Sequence, residues 1–106
     1  MKQYTDESQT AKLIELGFDK PSSIASVEPI YGMGGISVAK AYTIGELIEM
    51  LPSFLDNHKQ LCIESSGGKW WVAYINLWDK KYFVRKDDLI DALYEMILQL
   101  KEDGVI

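Results

Sequence analysis

The 106-residue chain holds only one histidine, one cysteine and three prolines, and each shortage excludes something. A lone Cys62 cannot form an internal disulfide, so no disulfide framework is expected and a reducing, cytoplasmic setting is the better fit. His58 lies in a predicted loop between Asn57 and Lys59. Without a second histidine or Cys-x-x-Cys spacing it completes no recognisable zinc set, and no metal is expected. The loop and strand between His58 and Cys62 give them no reason to meet as base and nucleophile. No apolar run approaches the ~18 residues that span a bilayer, and Met1 to Glu7 lack a signal-peptide core. The expectation is a soluble, intracellular protein with no membrane partner. Basic residues are the minority, 11 Lys and Arg against 16 Asp and Glu, for a net charge of −5. That balance argues against a general phosphate-backbone binder.

What is present is ordinary for a globular domain: 47% hydrophobic and 25% charged residues. A chain of this size buries roughly two thirds of its unfolded surface, enough for one core and one domain over residues 1–106. The pattern predicts an α+β fold, three helices with a short antiparallel β-meander of three to five strands.

The first helix is expected from about Thr5 to Leu16. Asp6 and Glu7 sit at its positive end, Gly17 ends it, Phe18 folds back on Leu13, and Pro21 forbids continuation. Residues 22–41 read as two short strands joined by the turn Gly32-Met33-Gly34-Gly35, with a mobile loop as the rival. Thr43-Ile44-Gly45-Glu46 is a capping box that opens the second helix, with Tyr42 and Leu47 as its hydrophobic staple. Pro52 stops that helix after about two turns. Ser53 to Lys59 reads as a loop. Leu61 to Glu64, a turn over Ser65 to Lys69 and the run Trp70 to Leu77 then form a hairpin. A turn near Asp79 and Lys80 leads to a third strand, Tyr82 to Arg85. The last helix runs from about Asp87 to Asp103, with Leu89, Ile90, Ala92, Leu93, Met96, Ile97 and Leu100 in one apolar arc. Gly104 ends it, and Val105 is placed to contact Leu100.

No catalytic constellation is legible, and the reading is of a protein that is not an enzyme. A P-loop needs glycine five residues before Gly-Lys-Ser/Thr; Ile63 holds that place before Gly68-Lys69, and Trp70 follows. Gly32, Gly34 and Gly35 lack the further glycine of a dinucleotide motif, so no cofactor is expected. Asp87, Asp88 and Asp91, like Glu46 and Glu49, are accounted for by helix dipoles, capping or a solvated face.

The segment Lys69 to Lys86 stands out. It carries Trp70, Trp71, Tyr74, Trp78, Tyr82 and Phe83, and its five basic residues against one acid leave +4 here and −9 elsewhere. Aromatics on a sheet with a basic rim are one way to hold single-stranded nucleic acid. Strand alternation divides the run into Trp71, Ala73, Ile75 and Leu77 on one face and Trp70, Val72, Tyr74, Asn76 and Trp78 on the other. The first set, fully apolar, is expected to pack on the last helix. The second is left for the core, a protein partner or nucleic acid. Tyr94 and Leu98 lie off the apolar arc of the last helix and form a candidate self-association patch.

The string Tyr42-Thr43-Ile44-Gly45-Glu46-Leu47-Ile48-Glu49-Met50-Leu51-Pro52 resembles small proteins of phages, prophages and conjugative elements of gut bacteria. Leu16-Gly17-Phe18, Trp70-Trp71-Val72 and Ile90 to Ile97 extend the likeness. The resemblance implies a cytoplasmic accessory protein of a mobile element and assigns no activity, ligand or catalytic residue. Because the aromatics exceed what one short sheet face needs, the expected function is a protein-interaction module, working on a protein partner or on itself through an aromatic sheet face. Its candidate surface is Trp70, Tyr74, Trp78, Lys80, Lys81, Arg85, Tyr94 and Leu98. The alternative is a single-stranded nucleic-acid binder using residues 69–86.

Overall fold

A computed structural model describes residues 3–18, 24–26, 38–55, 59–75 and 80–106, without the side chains of 24–26, 38–40, 80 and 81. The order of elements is α1 (Glu7–Glu15), β1 (Ile24–Ser26), β2 (Val38–Lys40), α2 (Ile44–Met50), β3 (Phe54–Leu55), β4 (Lys59–Ser66), β5 (Lys69–Ile75), β6 (Lys80–Lys86) and α3 (Leu89–Glu102). The fold is α+β: three helices and a four-stranded antiparallel sheet in the order β3-β4-β5-β6, beside a two-stranded pair β1-β2.

Both long helices end by the same device. Gly17, at φ 95°, lets its own N–H reach the Ile14 carbonyl and the Phe18 N–H reach that of Leu13. At the end of α3, Gly104 at φ 75° does the same, its N–H bonding Lys101 and that of Val105 bonding Leu100. These paired bonds satisfy carbonyls that the last turn would otherwise leave orphaned. The Lys101 ammonium lies 5.6 Å from the Phe18 ring centroid, joining the two caps.

The helix starts are equally local. Thr43 and Glu46 exchange capping bonds of 3.1 Å, and the flanking Tyr42 and Leu47 are buried. Asp6 and Gln9 form a second capping box on α1, and Gln9 also donates to Asp91 on α3 at 2.8 Å. Thr5 ties the N-terminal segment to the start of α2: its N–H donates to the Tyr42 carbonyl and its hydroxyl accepts from the Tyr42 N–H, both at 3.0 Å. Because Thr10 Oγ1 donates to the Asp6 carbonyl, the Thr5 hydroxyl donates to Thr10 across 2.6 Å.

In the sheet, the β4–β5 turn is Gly67-Gly68 alone, with φ of 60° and 77°, closing on the pair Ser66 and Lys69. Two consecutive positive φ values are what a two-residue hairpin turn needs to match strand twist, and glycine adopts them without steric cost. This turn is tighter than the one expected over Ser65 to Lys69. Part of the expected loop Ser53 to Lys59 is strand instead: Phe54 and Leu55 pair with Gln60 and Lys59. Of residues 22–41, only β1, β2 and Ala41 are described, the strands paired antiparallel from Ile24 with Lys40 to Ser26 with Val38. The expected glycine-rich turn between them lies outside the described residues, as do Pro21, His58, Asn76, Leu77, Trp78 and Asp79.

The helix α3 buries its whole apolar arc, from Leu89 to Leu100, against β5, β6 and α2. The sheet face beneath it corrects the expectation from alternation. Trp70, Val72 and Tyr74 face inward with Tyr82 and Val84 of β6 and Leu61 and Ile63 of β4, not Trp71, Ala73 and Ile75. The reason lies in the neighbours. Both faces of β5 are apolar, but the positions beside Val72 and Tyr74 are Ile63, Val84, Leu61 and Tyr82, whereas those beside Trp71 are Glu64 and Arg85. Residues directly opposite across a ladder share a face, so the flanking strands decide which side closes.

Candidate functional site: the outer sheet face

The face turned away from α3 is laid out in cross-strand rows. One row is Glu64, Trp71 and Arg85; the next is Cys62, Ala73 and Phe83; a third brings Phe54, Gln60 and Ile75 together. The rings of Trp71 and Phe83, one row apart on adjacent strands, lie 5.7 Å apart at 33°. That is within the range in which tilted aromatic pairs attract. Phe83 is 43% exposed and Phe54 60%. Trp71, Ile75 and Cys62 are half-buried, and Gln60, Glu64 and Arg85 are exposed. At the hairpin end, the Lys69 ammonium bonds Asp87 at 2.6 Å. That hydrogen bond and charge hold the Asp87 carboxyl below its ordinary value.

The candidate surface read from the sequence is redistributed. Tyr74 is wholly buried, and its hydroxyl donates to the Pro52 carbonyl at 2.7 Å. Burial pushes its phenol well above the ordinary value. It meets Tyr82 edge to face, with centroids 6.4 Å apart. Trp70 is half-buried against the core rather than displayed. Trp78 lies outside the described residues, and only the backbone of Lys80 and Lys81 is described, in β6. Arg85 is exposed on the outer face. On α3, Tyr94 and Leu98 are both half-buried, and Tyr94 packs against the core. Burial, then the charges of Glu95 and Asp6, raises the Tyr94 phenol. The structure therefore gathers one member of the expected set, Arg85, with three aromatics that the expectation left out: Phe54, Trp71 and Phe83. A signal for them was present. On β6 and β4 the polar residues Arg85, Glu64 and Gln60 share a face with Trp71, which marks that side as the wetter one.

Among the described residues there is no group of three or more His, Cys, Asp or Glu placed to hold a metal ion. Among them, too, no helix is long and apolar enough to cross a membrane. The chain matches no family model, no curated protein and no solved structure.

Proposed function

We propose that this is a non-enzymatic protein-interaction module whose contact surface is the outer sheet face. The observation that carries the reading is the exposure of Phe54 and Phe83 on the face that also bears Trp71, while α3 fills the opposite face. Covering apolar area stabilises a contact by roughly 25 cal/mol per Å² before the costs of association, and aromatics dominate such contacts. Half-buried Cys62 and Ile75 extend the apolar area, and Glu64 and Arg85 give it a charged rim. The resemblance of Tyr42 to Pro52 to mobile-element proteins implies, separately, that such a module would serve as an accessory protein of a mobile element.

A second reading, single-stranded nucleic acid, draws on Trp71, Phe83 and Arg85, an aromatic pair beside a guanidinium. Glu64 in the same row and a net charge of −5 weigh against it. Photo-crosslinking separates the two. A photoreactive phenylalanine analogue at position 83 should give protein adducts in producing cells, and the same analogue at exposed Lys12 should not. Nucleic-acid adducts from position 83, or none, would overturn the protein reading.

A further inference from the structure

We infer that the partner of this face is a second copy of the chain, docked sheet to sheet about a twofold axis running along β5. The inference rests on the outer face being a protein-binding surface and names what binds there. An axis along β5 exchanges the β4 side of one copy with the β6 side of the other. In the row Glu64, Trp71, Arg85 it sets each Glu64 over the other copy's Arg85, twice by symmetry. In the row Cys62, Ala73, Phe83 it sets the bulky Phe83 over the small Cys62, again twice, with the two Ala73 residues facing each other on the axis. On the axis Trp71 meets its own copy, as Ala73 does; to either side of it the bulky Phe83 meets the small Cys62 and unlike charges meet. Neither Glu64 nor Arg85 has an ion-pair partner among the described residues, so each is available for one across the axis. Packed sheets sit about 10 Å apart with strands within roughly 30° of each other, which brings side chains of both layers into one stratum.

The rival way for two copies to join is edge pairing through β6. Antiparallel pairing centred on Phe83 would set Lys81 across from Arg85 and Lys80 across from Lys86. Like charges directly opposite destabilise a ladder, and a basic edge of this kind discourages strand addition. The face, not the β6 edge, is the self-complementary element. Four strands about 4.8 Å apart make a small surface, so the dimer belongs to the weak, micromolar class. Phe54, on the outermost strand, falls at its rim.

The test is a charge swap read by sedimentation across a concentration series. Glu64 and Arg85 are exposed, so neither substitution disturbs the core. Glu64→Arg and Arg85→Glu should each weaken self-association about tenfold or more, since each replaces two attractions by two repulsions. Mixing the two variants should restore it, because one copy then carries arginine at both positions and the other glutamate at both. Cys62 alkylation gives a second readout, slowing as wild-type protein is concentrated. A strict monomer at high concentration, or a mixture that associates no better than either variant alone, would overturn the inference. If position 83 then still crosslinks to a different protein, the interaction face stands and only self-docking fails; if it crosslinks to no protein, both fail.

Discussion

The hydroxyl of Tyr82 donates to the Asp103 carboxylate at 2.6 Å, fastening an edge strand of the sheet to the residue that caps the end of α3. Bonding to Asp103, burial and the aspartate charge together raise the Tyr82 phenol above its ordinary value. Tyr74 and Tyr94 shift the same way, chiefly through burial. A phenol raised in the folded state keeps its proton longer there than in the unfolded chain. The stabilisation is therefore full below the unfolded value of about 10 and is lost as pH climbs through the raised folded values. Urea unfolding should show stability falling above about pH 10. Tyr82→Phe should cost about 1 kcal/mol at neutral pH and flatten that fall. An unchanged alkaline slope in the variant would remove Tyr82 from the account.

The assignment of faces predicts an asymmetry between adjacent residues of β6. Val84 is buried under α3, and Phe83 points outward. Val84→Ala should cost about 2 kcal/mol, through lost burial and the cavity left behind. Phe83→Ser, although it removes the larger side chain, should cost under about 1 kcal/mol in dilute protein. Chemical denaturation of both variants decides it; the reverse ranking would return α3 to the Trp71 face.

Thr5 offers a test of a buried polar link. Thr5→Val keeps the shape but leaves the Tyr42 N–H without its side-chain acceptor, at a cost of about 1–3 kcal/mol. Thr5→Ser keeps the hydroxyl and should recover most of the loss. If both variants unfold at the wild-type urea midpoint, the hydroxyl network contributes nothing.

At the hairpin, Gly68→Ala should cost about 1–2 kcal/mol, because a Cβ at φ 77° is crowded even though it would meet no neighbouring atom within 4 Å. Gly67→Asn should be close to neutral. Asparagine tolerates left-handed backbone, and its Cβ would only touch the Arg85 guanidinium at 3.8 Å. Thermal unfolding of the pair checks the contrast.

Much of the architecture is legible in the sequence because its signals are local. The Thr43–Glu46 box, the Gly17 and Gly104 caps, the Gly67-Gly68 turn and the apolar arc of α3 are each set by residues close together along the chain. The outer face is different. Trp71 and Tyr74 are equally plausible core residues by type, and only their partners on β4 and β6 separate them. Pairing of that kind is long-range information, which alternation within β5 does not contain. The same holds for Phe54, whose place on the face depends on a two-residue strand that reads as loop.

The near-equivalence of the two faces of β5 has a consequence for how the chain assembles. A one-residue slip exchanges the inward and outward sets of a strand, and ordinarily the slipped state is rejected because it buries polar groups. Here a slipped β5 would present Trp71, Ala73 and Ile75 to α3, a surface nearly as greasy as the correct one. Rejection then falls largely to the hairpin, whose two left-handed glycines pin Ser66 to Lys69 and so count the pairs correctly from the turn outward. Gly67-Gly68 acts as the proofreader of the sheet, and loosening it should reveal itself first as a second, misaligned population refolding beside the native one.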